Sequence, residues 1–560
     1  MRTVFLRVAA LALTTCAAAP LLAGQASPAP APAATAPAPI PVLTAEQWQA
    51  DLDFMAAEME RRHKNLFHTV SREAFQAAVL DLRARIPTLQ RHQIIAGMMR
   101  IAAMVRDGHS RVDPRKDVKF GMPSLPVKLY LFEDGLFVRA GLPEHAKLLG
   151  AKVEAIGGVP VAEAMRRAGT LASRDNEVGV KLFVPLYLAM PQLLHALELS
   201  KSPETATLTL SRGGKRWTVT LPAHAVDPIW PPDTDISLVT PEGWVDARKT
   251  PALPLWVQAP LDYHRLVELP EHKALYAQMN MVTNVEGQTV PQYARKIAER
   301  VAATNPKALI LDLRLNLGGN GNLRTELVRT LIRAEDEDTK LFVLTWRGTF
   351  SASQFILDDL DRLSGAIFIG EPASSKPSSY GDAYRKLMPN SGIAVRSSIV
   401  WWQEGQNFDP WTPIDIATPY RFADYEAGRD PALEAALAWT PRPPLHERLL
   451  AHAKAGGAEA VIAGYEAYRA DPVNRYANVA GRTTGAAEHL LNSGEVPAAL
   501  ALARRAAADF REKLDAHMIL AFVAERAGDK ALALGAARRA LEIDPNNRFI
   551  LPLLARVEAP

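Results

Sequence analysis

The residues that could do chemistry sit at two strand ends. The first is the run Ala308-Leu309-Ile310-Leu311-Asp312-Leu313-Arg314-Leu315-Asn316-Leu317-Gly318-Gly319-Asn320, an apolar strand that runs directly into paired glycines. A turn of this kind presents bare backbone N–H groups, which suit an anion or a developing oxyanion. The second strand spans 341–346 and gives way to Gly348-Thr349-Phe350-Ser351-Ala352-Ser353-Gln354-Phe355, which places a serine at the mouth of a helix. Donors at one strand end and a hydroxyl at the other point to acyl transfer. Ser351-Ala352-Ser353-Gln354 also satisfies the capping-box pattern, in which serine closes the helix and glutamine reaches back.

Elements that would position these groups follow from periodicity. Residues 226–440 alternate helices (291–303, 323–333, 352–363) with strands (366–369, 393–402), which favours an α/β core. Before it, residues 43–115 read as a helical region. Thr44-Ala45-Glu46-Gln47 is a candidate cap, Trp48, Leu52, Met55 and Met59 follow at helical spacing, and helices at 72–85 and 90–105 end at Asp107-Gly108-His109-Ser110. Residues 116–225 are strand-rich, with strands at 127–131, 136–138 and 152–160 and a hairpin at 207–221 turning at Gly213-Gly214. These pieces resemble a PDZ domain, whose sheet edge takes extended peptide, apart from a helical insert at 162–199. Residues 441–560 are alanine-rich and repeat. Gly494 and Gly528 lie 34 residues apart, and at the same offset Ala499 matches Ala533, Leu500 Leu534, Arg504 Arg538, Arg505 Arg539 and Ala506 Ala540. This period resembles tetratricopeptide repeats, stacked helix pairs that either receive a protein partner or cap the core.

The chain of 560 residues, 48% hydrophobic and 22% charged, has a net charge of +3, which excludes the strongly basic signature of nucleic-acid binders. Arg2 and Arg7, an apolar run over 8–19 and small residues near 23–26 form a signal peptide over 1–26, followed by a Pro/Ala-rich linker over 27–42. The expectation is an exported protein, periplasmic or secreted, with no integral membrane span and with Cys16 as a candidate lipid-attachment site. Cys16 is the only cysteine, so the folded part has no disulfide, thiol nucleophile or cysteine-ligated metal. The absence of a HExxH pattern, phosphate loop or dinucleotide fingerprint leads to an expectation of no cofactor and no metal.

Four motifs, in order, resemble the tail-specific or C-terminal-processing serine peptidases, closest to the tricorn-like and retinoid-binding-protein-like branch. They are Asp107-Gly108-His109-Ser110, Asp312 to Gly319, Thr349-Phe350-Ser351-Ala352-Ser353-Gln354, and Gly370-Glu371-Pro372 with Leu387-Met388-Pro389-Asn390-Ser391-Gly392. The resemblance covers roughly residues 44–430 and implies a crotonase-like α/β core with an N-terminal helical region, a PDZ-like insert and, beyond it, an all-α repeat region. It implies Ser351 as nucleophile and an oxyanion hole from the backbone N–H of Gly318 or Gly319 with that of Ala352. Two bases are offered. His109 matches the tricorn-like branch, with Ser110 linking it to a distant glutamate, read here as Glu404 with Asp409 as runner-up. Lys376 stands where the other branch places the lysine of a Ser/Lys dyad, although Ser374-Ser375-Lys376-Pro377 lacks the usual glycines. Gln354 replaces the usual glutamate. The implied function is peptide-bond hydrolysis of polypeptides; the rivals are an inactive peptide-binding or scaffold protein and a small-molecule serine esterase.

Overall fold

In the computed structural model, residues 42–112, 122–224, 238–403, 405 and 408–558 are described. The signal segment with Cys16, nearly all of the linker, and Glu404 lie outside them. Thr44 caps α1 (Ala45–Arg62): its side chain accepts the Gln47 N–H and Gln47 accepts the Thr44 N–H, which satisfies two donors that a helix start would leave orphaned. Helices α2 (Arg72–Arg85) and α3 (Arg91–Ala103) follow. After α3 the chain turns through Arg106, with a φ of 56°, into Asp107-Gly108-His109-Ser110 and the two-residue strand β1 (Arg111–Val112).

An antiparallel sheet comes next, formed by β2 (Val127–Phe132), β3 (Gly135–Gly141), β4 (Lys152–Ile156) and β5 (Val159–Pro160). Helices α4 (Val161–Gly169), α5 (Glu177–Leu188) and α6 (Pro191–Ala196) interrupt it. It resumes with β6 (Thr205–Arg212), β7 (Lys215–Pro222) and β8 (Val245–Asp246). The strand order is β2-β3-β4-β6-β7, with β5 on β4 and β8 on β3. Gly213 and Gly214, at φ of 57° and 77°, close the β6–β7 hairpin; two left-handed residues match the strand twist and strongly favour glycine. The helices α1–α3 and this sheet share one apolar core, in which Leu52, Met55 and Ile95 pack in the same cluster as Val138, Val153 and Leu208. The boundary drawn near residue 115 therefore divides a shared core.

The second half contains α7 (Leu255–Gln258), β9 (His264–Leu269), β10 (Ala274–Met279), α8 (Val290–Thr304), β11 (Ala308–Asp312), α9 (Thr325–Ala334), β12 (Lys340–Thr345), α10 (Ala352–Leu363) and β13 (Ile367–Gly370). It continues with β14 (Ser378–Leu387), β15 (Ala394–Gln403) and β16 (Ile416–Ala417). The main sheet runs β16-β13-β12-β11-β10-β9 and is parallel except for β9. Every residue of β10 and β11 is buried, as expected of parallel strands covered on both faces. Strand β15 leaves this sheet and pairs with β14 and β1, Arg111 standing opposite Arg396. That pairing ties the strand after His109 to the second half of the molecule.

The remainder is helical: α11 (Phe422–Glu426), α12 (Pro431–Leu437), α13 (Leu445–Ala470), α14 (Val479–Asn492), α15 (Val496–Asp509), α16 (Leu514–Arg526), α17 (Lys530–Ile543) and α18 (Ile550–Glu558). Gly456 and Gly457 break α13 with non-helical dihedrals. Gly494 and Gly528 occupy equivalent turns with φ of 83° and 78°, in register with the 34-residue spacing. Arg482 of α14 forms an ion pair with Asp415, and Ile414 N–H donates to Tyr476 O at 3.1 Å, so the array is docked on the sheet. Among the described residues, no helix is long and apolar enough to cross a membrane.

Candidate active site

Ser351 has a φ of 60° and a ψ of −126° at the junction of the β12 loop and α10. A non-glycine residue there is strained by roughly 1–3 kcal/mol and persists only where its surroundings over-determine it. Four hydrogen bonds do so. Ser351 N–H donates to Ser375 Oγ at 2.8 Å, Phe350 N–H to Asn316 O at 3.0 Å and to Ser353 Oγ at 2.9 Å, and Gln354 N–H to Ser351 O at 2.8 Å. The Ser351 side chain makes no capping bond to its helix. Its hydroxyl faces His109 instead, with Oγ 2.9 Å from Nε2. The capping-box alternative is therefore not realised: Gln354 Nε2 donates to Asp358 Oδ1 at 2.7 Å and to Thr412 Oγ1 at 2.6 Å.

The glycine turn lies against the serine. Gly318 and Gly319 have φ of 111° and 134°. A Cβ on Gly318 would sit 2.6 Å from Ser351 Cβ and 3.0 Å from its Oγ, and one on Gly319 would sit 2.3 Å from Val282 O. Both positions thus require glycine for close approach as well as for dihedrals. Gly318 N–H is engaged, donating to Asn316 Oδ1 at 2.9 Å. Among the described residues neither Gly319 N–H nor Ala352 N–H has an acceptor. Of the two glycines offered by the sequence, Gly319 is the one with a free donor.

His109 is held through its turn. Asp107 Oδ1 accepts its backbone N–H at 2.9 Å, and Asp107 Oδ2 takes a hydrogen bond from buried His63 Nε2 at 3.0 Å. Asn65 N–H donates to His63 Nδ1, so the His63 hydrogen lies on Nε2. The His109 ring stacks on Phe350, with centroids 4.4 Å apart and planes inclined by 26°. Its Nδ1 is buried 4.0 Å from Asp107 Oδ1 and makes no hydrogen bond of ordinary geometry among the described residues, although the Tyr380 backbone lies near the ring and favours its charged form. Burial lowers the His109 pKa to about 4, against the pull of Asp107; the ring is neutral at neutral pH and can accept a proton. Burial also opposes ionisation of Asp107, but the His63 hydrogen bond, nearby His109, and Ser110 and Ser398 outweigh it and hold that carboxyl at about 2.

The remaining sequence candidates are dispersed. Ser110 is buried against Asp107 and accepts the Ser398 N–H at 2.9 Å, which binds the His109 turn to β15. Asp409 forms an ion pair with Lys513 of the helical array, away from the histidine. Lys376 is half-buried beside Ser375, and its charge acts on Asp175 and His68. No hydrogen bond joins it to Ser351.

Several contributors had no motif to announce them. Asp175 Oδ1 accepts the Gly108 N–H at 2.7 Å. Asn176 caps α5 and donates to the carbonyls of Ala373 at 3.0 Å, Ser375 at 3.3 Å and Pro410 at 2.8 Å. The pair thus links the histidine turn to the segment that carries Ser375. The one legible signal was Asn176-Glu177 ahead of an apolar helix, an ordinary N-cap. Among the described residues, Asp107, His109 and Asp175 are the group whose potential metal-ligand atoms all lie within 4.8 Å. Both Asp107 oxygens already accept hydrogen bonds.

No family model matches the chain, and no curated protein does. Solved structures match at low identity. Mature CPAF complexed with lactacystin is 13% identical with a TM-score of 0.48, covering 69% of this chain and 96% of its own. The photosystem II D1 C-terminal processing protease is 15% identical with a TM-score of 0.32, covering 66% and 93%. The tricorn protease is 14% identical with a TM-score of 0.33, covering 70% and 36%.

Proposed function

We propose that the chain is an exported serine peptidase acting through an acyl-enzyme on Ser351. The observation that carries the reading is the 2.9 Å contact between Ser351 Oγ and His109 Nε2, made by residues 242 apart in sequence, at a serine held in a strained conformation beside free backbone donors. A nucleophile and base within hydrogen-bond reach, with the base independently oriented, is the arrangement that activates a hydroxyl.

In this reading Ser351 Oγ attacks the scissile carbonyl carbon while His109 Nε2 takes its proton. The carbonyl oxygen becomes an anion held by Gly319 and Ala352 N–H; loss of one such donor typically costs about 3 kcal/mol. His109 returns the proton to the leaving amine, the C–N bond breaks, and an ester to Ser351 remains. Water then adds to that ester, giving its proton to His109, and the carboxylic product leaves as Ser351 recovers its hydrogen. A crotonase-like core would supply Ser351 and the glycine turn, the antiparallel sheet β2–β7 would serve as a PDZ-like arm for an extended peptide, and the C-terminal array, as tetratricopeptide-like repeats, would dock a protein partner. The side chain of Gln354, which stands where the resemblance expects a glutamate, is bonded to Asp358 and Thr412 and makes no hydrogen bond to the Ser351 or His109 side chain, so its identity does not favour the inactive rival.

A fluorophosphonate probe tests the proposal. Labelling at Ser351 that disappears in Ser351→Ala, with unchanged far-UV circular dichroism, is expected. A folded wild-type protein that never labels sinks the enzyme reading and favours peptide capture without chemistry.

A further inference from the structure

Behind the catalytic pair lies a second carboxyl group that the reaction above does not use. Asp175 is 5% exposed, sits between α4 and α5, and is the partner of the Gly108 N–H. Its other oxygen, Oδ2, is buried and makes no hydrogen bond of ordinary geometry among the described residues, although the Lys376 backbone N–H lies near the carboxyl and favours its charge. Asp107, His109 and Asp175 bring an oxygen, a nitrogen and an oxygen within 4.8 Å of one another, and His109 Nδ1 is likewise buried with no hydrogen bond of ordinary geometry among the described residues. Two buried carboxyl groups at this range do not both ionise readily, so one holds a proton. The surroundings say which. His63, Ser110 and Ser398 serve Asp107 and leave its charge in place. Burial and the Asp107 charge push Asp175 up to about 7, against the Gly108 N–H and Lys376.

The other charges around Asp175 come from three directions. Lys376 faces it from the segment before β14 and Asp107 and His109 from the turn after α3, while Glu177 on its own side pairs with the half-buried Arg174 and with the exposed Arg106 of that turn. His63 stands behind Asp107, while Arg111 and Arg396 act on His109.

We propose that Asp175 is a positioning residue for His109: it holds the one proton of a carboxyl pair with Asp107, and loss of that proton raises the basicity of the imidazole and completes the active form of the site. The inference rests on the peptidase reading and assigns its pH regulation. With Asp175 protonated, a single carboxylate faces the imidazolium that forms as Ser351 attacks. With Asp175 ionised, a second negative charge stabilises that imidazolium at short range, where a buried charge pair is worth about tenfold in rate or more. Activity therefore rises in two steps with increasing pH. The first is the ionisation of His109, and the second is that of Asp175 near neutrality.

The test is the pH profile of kcat/KM for a peptide substrate in wild type, Asp175→Asn and Asp175→Glu. Asn keeps the acceptor for Gly108 N–H but cannot ionise. It is expected to retain the acid limb and lose the upper one, remaining about tenfold below wild type above neutral pH, and Glu is expected to restore an upper limb at a shifted position. A non-catalytic readout accompanies it: infrared titration should show a buried protonated carboxyl that disappears across neutrality in wild type and is missing from Asp175→Asn. Fluorophosphonate labelling separates the two claims. If wild type labels and the Asn variant keeps both limbs or the carboxyl band, the proton-sharing proposal is overturned and the peptidase reading stands. If wild type never labels, the peptidase reading fails, and the infrared band alone decides whether Asp175 holds a proton.

Discussion

The catalytic half and the C-terminal helical array bury different things. In the array the buried residues are overwhelmingly apolar, with Ala499, Leu502, Ala503 and Ala507 of α15 packing in the same core as Ala533, Ala536, Ala537 and Ala540 of α17. Its ion pairs, such as Arg505 with Asp509 and Glu466, are partly open to solvent. In the catalytic half charge is buried directly beneath the glycine strand end. Arg314 is forked between Asp312 and Asp430 at 2.6–3.1 Å, Tyr276 O–H donates to Asp312 at 2.6 Å, and Trp256 covers the guanidinium at 4.6 Å. Apolar burial is forgiving and additive, whereas a buried ionic network holds only while every member is present. The array can therefore gain stability by repetition, while the active-site half accepts costly burial to fix a geometry.

Breaking the site itself should have the largest effect. His109→Ala should lower kcat by roughly 10⁴-fold, about 5.5 kcal/mol of barrier, with the fold retained; a folded variant with near-normal kcat would move the base elsewhere. The buried network comes next. Arg314→Ala leaves Asp312 and Asp430 unpaired and should cost about 3–5 kcal/mol in chemical denaturation. A loss below about 1 kcal/mol would show that the two regions do not differ in the way described.

A third probe uses pH. Burial raises the Asp358 pKa from 3.8 to about 7, against hydrogen bonds from Gln354 and Thr412. With the folded value above the unfolded one, its favourable contribution is complete below about pH 4 and declines as pH rises through 7. Asp358→Asn, which keeps the acceptor oxygen, should thus be about 1–2 kcal/mol more stable than wild type at pH 8 and close to it at pH 4. Equal differences at both pH values would refute the assignment.

Two variants should do little. Lys376→Ala should keep at least about a tenth of wild-type kcat, a barrier change under roughly 1.4 kcal/mol, because nothing joins its ammonium to Ser351. Inactivity of this variant beside an active His109→Ala would place the chain with the Ser/Lys branch. Arg505→Ala, the partly exposed counterpart of Arg314, should leave the thermal midpoint unchanged within error. A large drop there would erase the contrast between the two regions.

Much was legible locally. Helices expected at 72–85 and 352–363 appear as α2 and α10 with those bounds, the Thr44 capping box is formed, and the turn at Gly213-Gly214 closes the β6–β7 hairpin. Each depends on residues within one or two turns of one another. Strands β9, β10 and β14 had no equally clear signal, because continuous burial in β10 and mixed exposure in β14 erase the alternation that identifies a strand. The pairing of β15 with β1 was also invisible, since Arg111 and Arg396 are far apart in sequence.

From the sequence alone came the strand that runs into Gly318-Gly319, the serine at a helix mouth and the 34-residue helical period, all written in neighbouring residues through dihedral preference and hydrophobic spacing. Only the tertiary structure decided that Gly318 N–H is occupied by Asn316 while Gly319 remains free, that Ser375 holds the Ser351 backbone, and that Asp175 supports the Gly108 N–H from 67 residues away. The physical reason is that a periodic pattern specifies which face of an element is buried, but it carries no record of which distant hydrogen-bond donor or charge that face will meet.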